Sequence, residues 1–430
     1  MNFRLQTHKS DLKFPPITHI HILRVCKGRK KRPICQSKPK NNHSRPLTYN
    51  FKFILLHIMN LIIDEKWLKN TAWLILCASL LYITGLFPEF VEKWYALGFY
   101  PLLANCLRFC LGWLPFSVGD TAYMVFLVWL GRPCLKGFKQ LKKEGFTSLF
   151  VTLFLGKALR FFLLSYILFK SIWGLNYNRL GIAWQVDIEK LPYSKEAVTA
   201  LTNKLIDSAN YYRKILNSRN LPQPTLPNIY TSAIASYQSA KLQFPFLQYD
   251  KPAIKGSLFT PIADYIGFTG YYNPFSGEAQ LRTDIPRILV PFTTCHEIAH
   301  QLGYASESEA SFVGFLAAKS SFDPYLKYSA YFEMLQYALG EQYLLYAKAD
   351  NYADFNKIVQ YNKSHIDTLV IRDKKMVHQF FMQHQRDISS ISNNLYDQYL
   401  KMNQQLKGIN SYNDVVGWII AYESKVDSRR

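Results

Sequence analysis

Long apolar runs dominate the first part of the chain, and segments of mixed polarity with helical or alternating periods follow. Residues 1–67 hold no sustained period and mix basic residues with Pro and Asn, which predicts a disordered extension. The apolar patch Phe51–Met59 within it is too short to cross a bilayer. Three runs then read as transmembrane helices, over residues 68–87, 116–130 and 152–175. Pro88 and Glu89 end the first, Asp120 sits near the start of the second, and Lys157, Arg160 and Lys170 lie where they can reach the interfaces from the third. Between the first two, residues 91–114 are apolar but carry Trp94, Tyr95, Tyr100, Arg108 and Trp113, the pattern of a helix lying in the interface.

After residue 175 the pattern becomes that of a globular domain reaching residue 430. Ala197, Leu201, Leu205 and Ala209 recur at four-residue spacing and predict a helix over Ser194–Leu216. Residues 217–290, broken by prolines from Pro222 to Pro286, read as loops and short strands. Turn residues over Tyr271–Gly277 lead into an alternating strand, Glu278–Arg282. That strand is expected to take an extended peptide by edge addition, which puts Ala279 and Gln280 against substrate. From Phe292 onward the pattern is mostly helical. The expected fold is therefore membrane-anchored and mainly α, with three N-terminal transmembrane helices and an α+β domain holding a small sheet.

Charge changes this picture in one respect. The net charge is +21, but residues 1–70 hold 15 Lys/Arg against 3 Asp/Glu, with the densest run at Lys27–Arg32. Arg132, Lys136, Lys139, Lys142 and Lys143 make the link after the second run basic as well. Positive flanks stay in the cytoplasm, so the N-terminus and this link are placed inside and the domain after residue 175 outside, as in a multi-pass integral membrane protein. Basicity beside apolar runs, without a nucleic-acid-binding module, argues for membrane lipid as a partner and against nucleic acid. No cleavage site follows an N-terminal apolar core, and Met59 offers an alternative start of translation. Of seven cysteines only Cys295 follows residue 134, so the domain has no internal disulfide framework, and Cys295 reads as a small buried residue.

The candidate chemistry lies in His296-Glu297-Ile298-Ala299-His300. Two histidines four apart share one helix face, where both imidazoles can ligate one Zn²⁺, and the intervening glutamate can act as general base without ligating. Thr293 or Thr294 is expected to cap this helix and Gly303 to stop it. A second, strongly apolar helix follows Ser306 with Glu307 and Glu309 in its first turn. Ser306 and Glu309 have capping-box spacing, which occupies Glu309 and leaves Glu307 as third ligand. Glu307 shares its face with Ala310, Ser311 and Gly314, small enough to let the two helices approach closely.

This arrangement resembles the zincin metallopeptidases, and a glutamate third ligand resembles their gluzincin branch. The wider set Phe87-Pro88-Glu89, Pro115 through Asp120, Trp173 through Tyr177, Gly270 through Phe275 and Thr293 through Ala310 resembles an uncharacterised family of bacterial membrane proteins, over about residues 68–425. The resemblance implies a zincin-like domain over residues 176–430 with a peptidase-like site, and names no substrate. In membrane zincins the third ligand commonly stands in a Glu-x-x-Ala-Asp pattern; here Glu307-Ser308-Glu309-Ala310-Ser311 has Ser311 at the aspartate position, and the gap from His300 to Glu307 is short for a gluzincin. The expected activity is hydrolysis of a peptide or protein substrate, with a non-catalytic zinc-binding sensor or peptide scaffold, or a metal-free structural membrane protein, as rival readings. Tyr271, Tyr272, Tyr304, Tyr331 and His378 are candidate donors to a developing oxyanion.

Overall fold

The structure is a computed structural model that describes residues 65–144, 147–189, 192–348, 352–384, 394, 397–398, 401–402 and 414–428. The basic extension up to residue 64 lies outside the described residues. Four helices open the described chain: α1 (Glu65–Thr84), α2 (Pro88–Leu111), α3 (Val118–Glu144) and α4 (Ser148–Ile172). Among the described residues one helix, over Val151–Ile172, is long and apolar enough by itself to cross a membrane. α1 and α2 meet that measure only jointly, as a pair bent by 94°. The expectation of three spans is corrected on two counts. The run at 116–130 continues into the basic link as one helix, so α3 carries Pro133 and several cations along its length. α1 begins with Glu65, Lys66 and Lys69, which dilute its apolar stretch. Exposed Trp73, Leu127, Trp129 and Phe162 still give α1, α3 and α4 apolar outer faces, as membrane association requires.

Nor does α2 simply lie on an interface. Its inner face, with Val91, Tyr95, Tyr100 and Ala104, joins Trp173, Leu175 and Ala305 in a small core under the globular domain. Glu92 and Arg179 form a two-pronged ion pair there, at 2.6 and 2.9 Å, with both side chains 2% exposed. Arg179 also donates to the Gly303 carbonyl, at 3.2 Å. The N-terminus of α3 is fixed by a buried carboxylate from the sheet: Glu278 accepts from the N–H groups of Val118 and Gly119 at 3.2 and 2.8 Å. A side chain at position 119 would put its Cβ 2.3 Å from Asn273 Nδ2, so glycine permits this docking.

The domain proper begins with α5 (Gly181–Val186) and α6 (Lys195–Ser218), the latter the helix expected over Ser194–Leu216 and capped by the Ser194 side chain. The proline-rich stretch contains a helix that the sequence reading missed, α7 (Leu226–Ala240). Thr225 caps it and Pro227 occupies its first turn, where a missing N–H costs nothing. The sheet has three strands, β1 (Ile254–Gly256), β2 (Gly270–Asn273) and β3 (Glu278–Leu281), in the order β1-β3-β2. β3 pairs parallel with β1 and antiparallel with β2. The helices α8 (Val290–Gln301), α9 (Glu307–Lys319), α10 (Pro324–Lys348), α11 (Tyr352–His365), α12 (Thr368–His384) and α13 (Val415–Ser428) complete the domain. Its main core packs α6, α7, α8, α9 and α10 together through side chains such as Ile206, Tyr237, Ile298, Phe312 and Phe332. The architecture is thus mainly helical with one small sheet.

Candidate metal centre and cavity

α8 carries the motif. It starts earlier than expected, after Leu289, so Thr293 and Thr294 lie inside it and bond back to the carbonyls of Leu289 and Val290 at 3.0 and 2.7 Å instead of capping. Gly303 does end it, with φ of 90° and a bond from the Tyr304 N–H to the Ala299 carbonyl at 3.2 Å. A Cβ there would also lie 2.9 Å from the Tyr100 ring.

One turn apart on α8, His296 and His300 bring their Nε2 atoms within 3.1 Å. Glu307, at the start of α9, places Oε2 3.1 Å from His296 Nε2 and 3.4 Å from His300 Nε2. All three residues are buried. Donors held around a tetrahedral Zn²⁺ at about 2.0–2.1 Å lie about 3.3 Å from each other, so these separations fit one ion. The outer nitrogens are occupied: His300 Nδ1–H donates to the Tyr304 carbonyl at 2.7 Å, and His296 Nδ1 bonds the Ser311 hydroxyl at 3.1 Å. Such partners aim Nε2 at the common point. Ser311, which stands where the zincin pattern has aspartate, therefore fills that supporting position with a neutral hydroxyl.

The charges fit as well. Burial disfavours charge on His300, but the Glu307 carboxylate outweighs it and holds the imidazole up at about 9. Burial also opposes the Glu307 charge, and the two imidazoles overcome it, holding the carboxyl well below the usual range. His296 is lowered by burial. The trio thus already balances positive charge against one carboxylate, which a cation among the three donors would supply directly.

α9 approaches α8 through small residues, as its sequence suggests. A Cβ on Gly314 would lie 3.0 Å from the His296 nitrogen, so the backbones nearly touch. Glu309 points elsewhere: it accepts from the Ile182 N–H of α5 at 3.0 Å. Ser306 precedes α9 but its side chain makes no capping bond, pairing instead with the Ser308 hydroxyl at 3.2 Å. The Ser306 half of the expected capping box is absent, although the choice of Glu307 over Glu309 at the metal centre agrees with the geometry.

Glu297 faces a cavity of about 820 Å³, whose wall also includes His296, His300 and Glu307. Its Oε2 is buried without a hydrogen bond, and burial pushes the carboxyl up to about 8. Gly270 of β2 packs against it, since a Cβ there would lie 2.6 Å from Glu297 Oε1. β2 contributes Gly270, Tyr271 and Tyr272, the end of α4 gives Phe169, α10 gives Phe332, Glu333, Gln336 and Tyr337, and α12 gives Lys374, His378 and Phe381.

Ala279 and Gln280 are corrected. They lie in the central strand, paired on both sides, fully buried and outside the cavity lining. The strand at the cavity is β2, at the sheet edge among the described residues. Of the other candidates, Tyr271, Tyr272 and His378 line the cavity, but the Tyr271 hydroxyl is held by Asp120 at 2.5 Å and that of Tyr272 by Tyr100 at 3.3 Å. Tyr304 bonds Gln185 and Tyr331 stacks on Tyr212, both away from the cavity. The sequence reading passed over Tyr337 and Glu333, which α10 delivers from far along the chain with no local motif to mark them. Cys295 is buried in the core, where desolvation pushes its thiol up to about 12.

A family model described as "Protein of unknown function (DUF3810)" matches residues 95–420, about three quarters of the chain. No curated protein and no solved structure matches it.

Proposed function

We propose that this chain, which belongs to the DUF3810 family, is a membrane-associated zinc peptidase whose ligands are His296, His300 and Glu307 and whose general base is Glu297. The observation that carries the reading is the convergence of His296 Nε2, His300 Nε2 and Glu307 Oε2 beside an unpartnered glutamate in one cavity wall. Zinc held there supplies a Lewis acid that acidifies water and polarises a carbonyl. Glu297 takes the proton of the attacking water and returns it to the leaving amine. An extended peptide lies along β2, whose backbone fixes its register as an added strand. Tyr337 supplies a neutral O–H to the developing oxyanion; it lines the same cavity and sits within electrostatic reach of Glu307. The basic second half of α3 faces the cytoplasm, and the crossing over Val151–Ile172 carries the site to the opposite side.

The test is hydrolysis of a quenched-fluorescence peptide library by the purified full chain and by Glu297→Gln. The variant is expected to keep its zinc and lose turnover by about three orders of magnitude or more, because an amide cannot take the proton. Zinc without turnover in both proteins would favour a zinc-binding scaffold instead.

A further inference from the structure

We propose that Glu333 forms a cation subsite in the catalytic cavity and selects peptides with an alkylammonium group near the scissile bond. The inference rests on the reading of that cavity as a peptidase site. α10 presents Phe332, Glu333, Gln336 and Tyr337 to the cavity, two adjacent pairs one helical turn apart.

Among the described residues, the buried acids outside the catalytic cavity have partners. Glu92 has Arg179, Glu278 has the N-terminus of α3, Asp120 has Tyr271 and Ser257, and Asp373 has Arg213 and Tyr328. In the cavity, Glu307 has the two imidazoles and Glu297 is the base. Among the described residues Glu333, half-buried in the cavity wall, has no such partner, and desolvation pushes its carboxyl up to about 7. An uncompensated carboxylate in a cavity wall is costly to keep, and a ligand cation relieves that cost.

The surroundings favour a cation further. Phe332 and Tyr337 line the same cavity from the same helix as Glu333, and aromatic rings attract ammonium groups. Lys374 lines the same cavity, but burial is the only influence on it too, so it does not neutralise Glu333. Tyr337 feels both Glu333 and Glu307, which puts Glu333 within electrostatic reach of the catalytic centre. The ammonium has two peptide sources, a lysine side chain or a free N-terminus.

The experiment measures binding and hydrolysis together, with the zinc-loaded full chain. The probes are acetyl-Phe-Lys-Phe-amide, acetyl-Phe-norleucine-Phe-amide and unblocked Phe-norleucine-Phe-amide. At least one ammonium peptide is expected to bind about tenfold or more tightly than the blocked norleucine peptide, a preference that Glu333→Gln abolishes and Glu333→Asp partly keeps. A gain for the lysine peptide identifies the side chain, and a gain for the unblocked peptide the N-terminus. Equal binding of all three, or a preference that survives Glu333→Gln, overturns the proposal. If Glu333→Gln loses zinc through misfolding, n-butylammonium decides on the wild type: displacing the ammonium peptide but not the neutral one supports the subsite, and displacing neither overturns it. Preferential binding without hydrolysis sinks the peptidase reading and leaves the subsite standing. Hydrolysis without charge preference sinks the subsite alone, and failure of all three peptides to bind contradicts both.

Discussion

Gly270 and Gly314 are two positions where one added methyl group would disturb the proposed base or the proposed metal centre. At Gly270 the added carbon meets the carboxylate end of Glu297, a movable group. Gly270→Ala should therefore displace the base, leave zinc bound and slow hydrolysis by about a hundredfold, read as kcat against zinc content. At Gly314 the added carbon meets backbone at His296, so α8 and α9 must part. Gly314→Ala should cost about 1–3 kcal/mol in denaturant unfolding and weaken zinc binding as well. Ser311→Ala removes the partner of His296 Nδ1 and should weaken zinc by about tenfold, measured by chelator competition. At this scale the sequence was informative where neighbours in the chain decide the outcome. His296, His300 and the Gly303 stop follow from local spacing, as does the small face of α9. The Ser306 half of the expected capping box is not formed, and periodicity could not show that Ile182, more than a hundred residues earlier, donates its N–H to the Glu309 carboxylate.

The elements that hold the site come from both ends of the described chain. Tyr100 of α2 donates to the Gln301 carbonyl at 3.0 Å and Arg108 donates to the same carbonyl at 3.0 Å, so the end of α8 rests on α2. The Glu92–Arg179 pair closes that junction. Glu92→Ala leaves a guanidinium buried and unpaired, and should cost about 3–5 kcal/mol of stability in equilibrium denaturation. Glu278→Ala should loosen the start of α3 and cost about 2 kcal/mol by the same measurement. None of this docking is visible to periodicity. Residues 91–114 look like an interfacial helix because Tyr95, Tyr100 and Arg108, which bind the domain, are interspersed with the exposed Trp94 and Trp113. The order of the sheet is equally non-local: alternation marks Glu278–Arg282 as a strand but cannot say that β1 and β2 cover both edges of β3. Prolines hid α7, since the same residue breaks a helix interior and favours a first turn.

Taken whole, the molecule joins an apolar helical base to a domain whose cavity reaches the end of α4 through Phe169. The count of crossings was misread from apolar runs because α3 fuses an apolar half to a basic half, a boundary set by where the helix continues and not by hydropathy alone. In the proposed orientation the basic half of α3 is cytoplasmic, so an enzymatic reporter fused after Arg430 is expected to be active outside the cytoplasm; activity only inside would reverse it. Three side chains from α8 and α9 are proposed to form one zinc centre. Its most direct test is zinc stoichiometry in the purified full chain beside Glu307→Ala and Glu309→Ala, with all three shown to be folded. About one zinc per chain is expected in the wild type and Glu309→Ala and almost none in Glu307→Ala; a zinc-free wild type, or a zinc-loaded Glu307→Ala beside a zinc-free Glu309→Ala, would rule out this centre.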